Sequence, residues 1–593
     1  MKNAIEKWTV CNKTGDLNFI INTFGVTAPT ARLLINRGIS SEKDIREFLY
    51  PDETMLYSPK LMKDLGGAAD IIEEKLSSRK RIRVIGDYDA DGIMSTYILT
   101  DVLKKLGAEA DFYIPDRIKD GYGINGEMIR KAAEDGIDTV ITCDNGIAAV
   151  TAAEAAKECG ITLVVTDHHE LPEELPDADI LVDPKRPDET YPCRDICGAV
   201  VAAKLGAELL ERRGLAPEGR GCLKYLEFMA IATICDVVPL TGENRTIAAL
   251  GLKILNDVYQ KDENPDGREI NIGLKALIDL CQIKNEINEH TIGFIIGPCL
   301  NATGRLDLAG RAMNMLNAKD PQEALASAEI CRDYNEERKN MTIEETQKAF
   351  AMLDEKEDLD KVLVVELPEC HESLAGIIAG RIKEKYYRPV FVLTKAKEGV
   401  KGSGRSIPGY NMFGEMQKCA DLFSKFGGHP MAAGLSIPEE NVSEFRRRMN
   451  ENCTLSNEDL RKKVLLDAIA WMSGFDEKGV EELKLFAPCG TDNPTPLFAD
   501  RNNRVIRMRR IGKNSNFLRF TMEDSKGVRY NAVCFKDADE LVDSFTEKFG
   551  RESVEAAFEG RDNNISLAVS YVPEINEFNG VKSIQMKIQG ILF

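Results

Sequence analysis

At 593 residues, the chain is long enough for several domains that each bury their own core. Hydrophobic residues make up 43% and charged residues 29%, as in soluble globular proteins, and no apolar run approaches the ~18 residues that suggest a membrane span. The net charge of −20 argues against attraction of the whole surface to nucleic acid, so a nucleic-acid site has to be a local basic groove.

The N-terminal sequence MKNAIEKWTV has no apolar core of the kind that a signal peptide needs. The fifteen cysteines are scattered, and Cys193 and Cys197 are the closest pair. This usage fits reduced, buried thiols better than a disulfide framework or a zinc site. We therefore expect a cytoplasmic protein with no membrane association.

Three alternating aspartates, Asp87, Asp89 and Asp91, follow an apolar run in VIGDYDADGIMS, residues 84–95. Like charges at this spacing repel unless a cation lies among them, which indicates a metal ion. An EF-hand calcium loop begins in the same way, but its twelfth position, a glutamate ligand, is Ile98 here. RIRVIG predicts a strand and GIMSTYILTDVLKKLG a helix, so the aspartates lie where open α/β sheets bind ligands.

From about residue 81 to 240, apolar strands alternate with helical segments, which predicts a parallel sheet covered on both faces. Polar residues end each strand and should converge at one edge of the sheet. After the first aspartates, these strand-end residues are Asp144, Asn145, Asp167, His168 and His169, and Asp236 can reach the same edge.

This donor set suits Mn²⁺ or a similar ion pair more than Ca²⁺. Two metals about 4 Å apart can activate water and clamp a phosphoryl group. The alternative is that the strand-end acids are helix N-caps and solvated turns, which is common for a single aspartate.

The polar segment 320–357 has apolar residues three and four positions apart, which predicts one long helix or two stacked helices that bridge domains. A second α/β unit follows, with glycine-rich stretches KGSGRS (401–406) and FGGHPMAAG (426–434). Their glycines permit close approach of phosphate to backbone N–H groups, although such stretches are as often tight turns. For His371 a structural and a functional role are both open.

After about residue 456, short alternating runs favour a small antiparallel barrel. Residues 501–520 hold seven basic residues and no acid, a reversal of sign on an acidic protein. An OB-type barrel that tracks single-stranded DNA, with Phe517 or Phe520 as stacking platforms, explains this pattern. A solvent-facing strand that happens to be basic is the alternative.

The motifs DYDADG, DNG (144–146), TDHHE (166–170) and ICDVVPL (234–240), in this order, resemble the four motifs of the DHH phosphoesterase superfamily. GPCLNATGR (297–305), HESLAGIIAGR (371–381), KGSGRSI and FGGHPMAAG resemble its RecJ branch, the single-strand-specific DNA exonucleases. The likeness covers nearly the whole chain.

The resemblance implies an α/β fold in which a DHH parallel-sheet domain is joined by a long helix to a smaller α/β DHHA1 domain, followed by a C-terminal OB-type β-barrel. The implied domains are an N-terminal extension packed on the catalytic core (1–50), the DHH catalytic domain (51–318), the connecting helix (319–357), the DHHA1 substrate-binding domain (358–455) and an OB-like nucleic-acid-binding domain (456–593).

The resemblance also implies a site for two ions, Mn²⁺ or Mg²⁺, with Asp144 as the bridge between them. Asp87 either binds an ion or orients a ligand, and His169 faces the scissile phosphate. The implied metal ligands are Asp87, Asp89, Asp91, Asp144, His168 and Asp236; the implied catalytic set is Asp144, His168 and His169. The implied single-strand groove is lined by Arg117, Asn301, Arg305, Ser403, Arg405 and His429.

The implied activity is a 5′ to 3′ exonuclease that releases 5′-mononucleotides from single-stranded DNA in repair and recombination. Candidate protein partners are a single-strand-binding protein or a helicase. One alternative is a catalytically inert DNA-binding scaffold, which has no use for the intact acid and histidine set. Another is a phosphodiesterase for short oligonucleotides or cyclic dinucleotides; small-substrate relatives typically lack the N-terminal extension and the OB-like tail.

Overall fold

The computed structural model describes residues 6–116, 123–265, 267–306, 310–396, 399–578 and 580–593. Arg117, an expected groove residue, therefore lies outside the described residues. The chain forms two compact units, which we call the central unit (mainly 52–462) and the terminal unit (7–51 with 463–593). None of the helices within the described ranges combines the length and the apolar character that a bilayer crossing requires.

The terminal unit begins with one strand and three short helices. They are β1 (Glu6–Val10), α1 (Leu17–Phe24), α2 (Ala28–Asn36) and α3 (Glu42–Leu49). Side chains cap two of these helices: the Asp16 carboxylate accepts from the N–H of Phe19, and the Ser41 hydroxyl accepts from the N–H of Asp44. Each helix buries an apolar face. The residues that cover these faces belong to the C-terminal part of the chain.

The central unit opens with the parallel sheet that the sequence predicts. Its elements are α4 (Leu65–Ser77), β2 (Ile82–Ile85), α5 (Ala90–Lys105), β3 (Ala110–Tyr113), α6 (Gly126–Glu134), β4 (Thr139–Cys143), α7 (Val150–Cys159), β5 (Thr162–Thr166), β6 (Ile180–Val182), α8 (Gly198–Arg212), α9 (Leu226–Cys235) and α10 (Gly242–Ile254). The strand order is β3-β2-β4-β5-β6, and every pairing is parallel.

Helices cover both faces of this sheet. Val84 and Ile141 point toward α5 and α8 in one buried core, whereas their neighbours Ile85 and Val140 point toward α6 and α7 in another. β3 lies on one side of β2 and β4 on the other, so the strand order reverses here and a crevice opens outside the carboxyl ends of β2 and β4. This is the position at which open α/β sheets bind ligands.

A helical layer then leads to the bridging helix. It consists of α11 (Ile272–Leu280), α12 (Glu289–Thr291), α13 (Gly297–Leu306), α14 (Gly310–Leu316) and α15 (Pro321–Asp354). Of the two forms that the sequence left open, the structure has one continuous helix of 34 residues. The Asp320 carboxylate starts it by accepting from the N–H groups of Gln322 and Glu323.

The smaller α/β domain follows α15. Its elements are β7 (Leu363–Glu366), α16 (Ala375–Tyr386), β8 (Val390–Lys395), β9 (Val400–Arg405), α17 (Met412–Gln417), β10 (Lys425–His429), β11 (Ala432–Ile437) and α18 (Val442–Glu451). The strand order is β10-β11-β9-β8-β7, with only β7 and β8 parallel.

The stretch KGSGRS forms part of strand β9 rather than a turn. Its glycines are needed for packing: a Cβ atom at Gly402 would lie 2.5 Å from Leu393, and one at Gly404 would lie 2.5 Å from Met412. The side chains of Ser403 and Arg405 alternate with these glycines along β9.

The terminal unit is completed by a β-barrel. Its elements are β12 (Lys462–Leu466), β13 (Ala468–Ile469), α19 (Glu477–Leu483), β14 (Phe498–Ile511), β15 (Phe517–Glu523), β16 (Arg529–Cys534), α20 (Ala538–Phe549), α21 (Arg551–Glu559), β17 (Ser566–Phe578) and β18 (Val581–Leu592). The order β14-β15-β16-β18-β17 closes through a β14–β17 pairing, which confirms the predicted barrel. The pairing of β16 with β18 is parallel, so the barrel is not wholly antiparallel.

Phe520 is not a stacking platform. Alternate residues of β15 point inward, so Phe520 is fully buried and packs against Phe545 at 6.3 Å between ring centroids. Phe517 lies on the opposite face of the strand, partly exposed, beside the half-exposed ring of Phe535. Of the two aromatic candidates, only Phe517 remains accessible.

The N-terminal helices share the hydrophobic core of the barrel. The ring of Phe48 lies 5.4 Å from that of Phe486, and a hydroxyl–carboxylate hydrogen bond of 2.6 Å joins Thr27 to Glu482. Arg37 forms a 3.2 Å ion pair with Asp467. Residues 7–51 therefore pack on the C-terminal part of the chain, whereas the sequence interpretation placed an extension of residues 1–50 on the catalytic core.

Candidate metal centre and substrate groove

The turn after β2 directs aspartates into the crevice. Asp87 is buried, and Asp89 is the N-cap of α5, since its Oδ1 atom accepts from the N–H groups of Asp91 at 2.9 Å and Gly92 at 3.2 Å. A Cβ atom at Gly92 would lie 2.4 Å from the backbone oxygen of Asp87, so only glycine allows this tight turn. The alternative that the strand-end acids are helix N-caps is thus correct for one carboxylate oxygen of Asp89.

Asp91 is held by the start of another helix. Its two carboxylate oxygens accept from the N–H groups of Gly198 and Ala199, each at 2.7 Å, at the N-terminus of α8. The positive end of the helix dipole stabilises this buried carboxylate. Asp91 therefore has a fixed orientation within the crevice.

Asp144 and His168 meet at the centre of the site. Asp144 follows β4 in the left-handed backbone region, with φ of 60°, and is buried. The Nε2 atom of His168, which follows β5, lies 2.9 Å from Oδ1 of Asp144. The same nitrogen lies 3.5 Å from Oδ2 of Asp91 and 3.8 Å from Oδ2 of Asp236, which ends α9.

Three overlapping groups of side chains have the spacing of metal ligands, with donor atoms within 4.8 Å of one another. They are Asp87, Asp89 and Asp144; Asp91, His168 and Asp236; and Asp144, His168 and His169. Asp144 and His168 each belong to two groups, so the set offers two adjoining positions for an ion. All six expected metal ligands lie in this cluster.

The electrostatics of the cluster fit a bound cation. Burial and the charges of Asp91, Asp89, Asp87 and Asp236 raise the pKa of Asp144 well above its usual range. Burial and the charges of Asp91 and Asp89 raise the pKa of Asp236 to about 8, and burial with the Asp91 charge raises that of Asp89. Carboxylates so close together repel unless positive charge lies among them. An oxygen-rich set with imidazole suits Mn²⁺ or Mg²⁺.

The pKa values of the two adjacent histidines shift in opposite directions. Burial lowers the pKa of His168, which favours the neutral ring that can offer a lone pair. For His169, burial opposes the charged form, but the hydrogen bond and charge of Asp167 outweigh it and raise the pKa to about 9. The Nδ1 atom of His169 lies 2.7 Å from Oδ1 of Asp167.

Asp167 is a site residue that the sequence placed among the strand ends but to which it assigned no role. Its Oδ2 atom accepts from the N–H of Ile147 at 2.8 Å, while Oδ1 holds the ring of His169. The sequence feature that could have indicated such a role is the position of Asp167 inside the motif TDHHE. Asp167 orients His169 and maintains its positive charge.

A cavity of about 530 Å³ adjoins the cluster. It is lined by His168, His169 and Asp236 from the parallel-sheet domain and by His429 from the smaller α/β domain. His429 is thus near the metal cluster and does not line the larger groove that contains the other expected DNA contacts.

The larger groove has a volume of about 1060 Å³ and lies between the parallel-sheet domain, α15 and the smaller α/β domain. Four of the expected residues line it: Asn301, Arg305, Ser403 and Arg405. Arg305 donates to the backbone oxygen of Ser373 at 2.9 Å, and Asn301 accepts from the N–H of Ala90, at the start of α5, at 2.7 Å. Asn301 therefore connects this groove to the metal cluster.

Sequence reasoning missed further basic residues of this groove. They are Arg338, Lys339, Arg381, Lys401 and Lys425. Arg381 and Lys401 belong to sequence motifs that were already recognised. Arg338 and Lys339 lie in a helix segment rich in acidic residues, so their basic character did not stand out in the sequence. His371 caps a short helical turn, since its Nδ1 atom accepts from the N–H of Ser373 at 3.3 Å, and the same atom lies 2.7 Å from the Ser373 hydroxyl, which is a structural role.

Family models match three parts of the chain. The DHH family N-terminal domain matches residues 81–233, the DHHA1 domain 359–454 and the RecJ OB domain 466–590. These ranges contain the parallel sheet, the smaller α/β domain and the barrel.

A curated relative from Haemophilus influenzae, the single-stranded-DNA-specific exonuclease RecJ, is 30% identical over 579 residues, which cover 94% of this chain and 95% of that protein. The chain belongs to the RecJ family. The RecJ of Bacillus subtilis is 38% identical over 505 residues, and the match covers 84% of this chain but 62% of that relative.

A solved RecJ structure supports the same assignment of fold. The RecJ from Thermus thermophilus in complex with Mn²⁺ is 27% identical and superposes with a TM-score of 0.81, covering 99% of this chain and 79% of that one. The same protein in complex with Mg²⁺ gives a TM-score of 0.75 over 99% and 78% of the two chains.

Proposed function

We propose that this protein is a metal-dependent exonuclease that degrades single-stranded DNA from the 5′ end and releases 5′-mononucleotides. The observation that carries the proposal is the convergence of Asp91, Asp144, His168 and Asp236 on one point beside a basic groove. Membership of the RecJ family supports the choice of substrate. Repair and recombination of DNA in the cytoplasm is the proposed setting.

Two divalent ions, Mn²⁺ or Mg²⁺, are the proposed cofactors, held by Asp87, Asp89, Asp91, Asp144, His168 and Asp236. When bound, such ions supply Lewis acidity and lower the pKa of an attacking water. Asp144 is the proposed shared ligand, because it belongs to two of the three groups, one with Asp87 and Asp89 and one with the two histidines. The N–H groups of Gly198 and Ala199, at the start of α8, hold Asp91 in position.

His169 is proposed to bind the scissile phosphate. Its imidazolium, stabilised by Asp167, is partly exposed in the cavity that adjoins the cluster. A charged N–H donor directed at a phosphate oxygen stabilises the negative charge that develops during hydrolysis. His429, which lines the same cavity from the smaller α/β domain, is a second candidate donor.

The groove is proposed to bind the backbone of the strand. Arg305, Ser403 and Arg405 offer phosphate contacts, and the additional lysines and arginines make the groove locally basic on an acidic protein. A passage between two domains admits one unpaired strand. The barrel, with its exposed basic residues Arg509 and Arg519 and the ring of Phe517, is proposed as an accessory surface for single strands.

The test is hydrolysis of end-labelled DNA by the purified protein with Mn²⁺, Mg²⁺ or a chelator. We expect processive loss of nucleotides from a 5′ single strand and from a 5′ overhang, resistance of a blunt duplex, and no reaction with the chelator. Equal cleavage of blunt duplex and single strand contradicts the groove assignment. Preference for dinucleotides favours the small-substrate phosphodiesterase, and binding without cleavage favours the scaffold.

A further inference from the structure

Phe294 presents a large apolar ring to solvent on the wall of the larger groove. The residue is 67% exposed, and none of the large hydrophobic residues that the structure describes is more exposed. Single exposed hydrophobic residues are normal on protein surfaces, so exposure alone indicates nothing. The position is informative, because Phe294 lines the same groove of about 1060 Å³ as Arg305, Ser403 and Arg405.

The local backbone and one neighbouring ring fix where the phenyl group lies. Residues Ile292–Ile296 form a π-helical turn between α12 and α13, and both end residues, Ile292 and Ile296, are fully buried. The ring of His290 stacks on that of Phe294, with 4.6 Å between the ring centroids and 23° between the ring planes. His290 therefore covers one face of the phenyl ring, and the exposed surface belongs to its edge and its other face.

The groove leaves room for a ligand on this wall. A Cβ atom added to Gly293, the neighbour of Phe294, or to Gly380 of α16 would meet no atom of another element within 4 Å, and both glycines line the groove. Glycine is less favourable than alanine within helices, and no packing contact of the described chain requires it at these two positions. Close approach of a bound molecule to the backbone explains both glycines.

Apolar and basic groups share this groove. Ile343 of α15, which is 46% exposed, lines it together with Phe294. The guanidinium groups of Arg305, Arg338 and Arg381 line it as well. A polynucleotide strand has the matching chemistry, because it carries flat apolar bases on an anionic backbone. Aromatic rings beside basic side chains hold unpaired bases without regard to sequence, since every base has a π-face.

We propose that Phe294 is a base-stacking platform of the groove and that His290 is the positioning residue behind it. The inference rests on the proposed function and deepens it, because it assigns contacts to the bases of the strand as well as to its phosphates. Each internal base of a duplex is already stacked on both sides, so only an unpaired strand offers a base to Phe294. Selection of single strands then has a chemical cause in addition to the width of the passage.

The first experiment measures binding of a labelled single strand by fluorescence anisotropy with a chelator present, so that no hydrolysis occurs. Phe294→Ala should weaken binding about ten-fold, the size of one base–aromatic stack, and Phe294→Trp should retain the affinity. On a strand of equal length in which every nucleotide lacks its base, Phe294→Ala should bind as the unmodified chain does. Met352→Ala, at a 45% exposed residue of α15 outside the groove, is the control.

The salt dependence of the same binding separates loss of a stack from a change in the shape of the groove. Loss of a stacking contact does not alter the number of neutralised phosphates, so Phe294→Ala should leave the slope of log affinity against log salt unchanged. A flatter slope, or equal weakening on strands with and without bases, shows disturbed phosphate contacts and overturns the stacking assignment.

Tryptophan fluorescence reports the contact directly. The chain has two tryptophans, Trp8 and Trp471, and both belong to the terminal unit. In a chain with both replaced by phenylalanine, the emission of Phe294→Trp should be quenched by a strand with bases, because a stacked base quenches indole fluorescence. The strand without bases should leave the emission unchanged. Equal quenching by the two strands, or none at saturation, overturns the proposal.

The role of His290 has its own test. His290→Ala removes the ring that supports Phe294 and should weaken binding of the strand with bases, whereas binding of the strand without bases should not change. His290→Phe keeps a stacked ring and should restore the affinity. Weakening by His290→Ala on both strands contradicts the positioning role.

Failure of this inference and failure of the proposed function are distinguishable. If Arg305→Ala weakens binding and Phe294→Ala does not, only the stacking platform is refuted. If the unmodified chain binds no single strand, the groove assignment and the stacking platform fail together. Quenching by a strand with bases, without hydrolysis when Mn²⁺ is supplied, supports the stacking platform and refutes the exonuclease.

Discussion

Gly198 lies so close to Asp144 that a Cβ atom added to it would be 2.6 Å from the Cβ atom of Asp144. Real Cβ atoms do not approach one another to this distance, so the first turn of α8 reaches the metal cluster only because residue 198 has no side chain. The same turn supplies the N–H groups that hold Asp91. One glycine therefore determines the position of two acids.

Gly198→Ala should displace Asp144 without unfolding the protein, since alanine is a good helix former. We expect Mn²⁺ affinity to fall about ten- to a hundred-fold, the range seen when groups that support metal ligands are replaced. Titration calorimetry and circular dichroism measure the two effects. Gly310→Ala, at a helical glycine with open space around it, is the matched control. Unchanged metal affinity in Gly198→Ala contradicts the steric argument.

Asp144→Asn tests the shared ligand. Asparagine keeps the shape of the side chain and tolerates the left-handed backbone at this position, so folding should be preserved. Hydrolysis should fall at least about a hundred-fold, because even groups behind metal ligands have effects of that size, while single-strand binding should persist. Asp262→Asn, at another left-handed aspartate with φ of 58°, controls for backbone effects. Activity near that of the unmodified chain removes Asp144 from the catalytic set.

The salt dependence of single-strand binding tests whether the two groove arginines, Arg305 and Arg405, contact phosphates. Each phosphate neutralised on a single strand contributes roughly −0.7 to the slope of log affinity against log salt. Arg305→Ala and Arg405→Ala should each flatten the slope by about one such contact, with equal weakening for every DNA sequence. Arg551→Ala, at an arginine whose side chain is 85% exposed on α21, is the control. A slope that does not change in either groove variant argues against phosphate contacts there.

Asp183, which follows β6, should make the protein less stable as pH rises. It is fully buried, and burial raises its pKa to about 7 from an ordinary value of 3.8, although its oxygen accepts from the N–H of Lys185. Between these two pKa values, the folded state holds a proton that the unfolded state has lost, so this group's contribution to stability falls from about pH 4 to pH 7 and is flat above.

Asp183→Asn removes this ionisation. Compared with the unmodified chain, the variant should therefore be stabilised at pH 8, by about 1.4 kcal/mol for each pKa unit of the shift, and the gain should shrink toward pH 5. Urea unfolding across this pH range measures the difference. Asp177→Asn, at an 85% exposed side chain, should show no such trend. An equal gain in stability at pH 5 and at pH 8 refutes the raised pKa of Asp183.

The parts of the fold that local pattern controls were predictable. Apolar runs that end in acids predicted the parallel sheet and the meeting of Asp91, Asp144 and His168, because strand ends converge by geometry alone. Strand register was not predictable: Phe517 and Phe520 differ only in which face of β15 each occupies. The glycines of KGSGRS fit a turn or a strand, and contacts with distant residues such as Met412 decide the outcome.

No local sequence pattern predicted that residues 7–51 pack on the C-terminal part of the chain. Deletion of either part therefore tests this packing. Removal of residues 463–593 alone should leave α1, α2 and α3 with exposed apolar faces, so a 1–462 fragment should aggregate. Removal of both parts should give a soluble, folded 52–462 fragment, because each unit has its own core. Soluble yield and cooperative thermal unfolding measure this. Equal behaviour of the two fragments contradicts the shared core.

The shared core also sets an order of events during synthesis. The helices of residues 7–51 leave the ribosome before the central unit, and the strands that complete their core leave it after the central unit. At ordinary translation rates, the wait is on the order of a minute. During that time residues such as Ile20, Leu34 and Phe48 have no native partner. The terminal unit thus completes its core only after the central unit has been made, and its first helices are exposed to aggregation, and to chaperones, in the meantime.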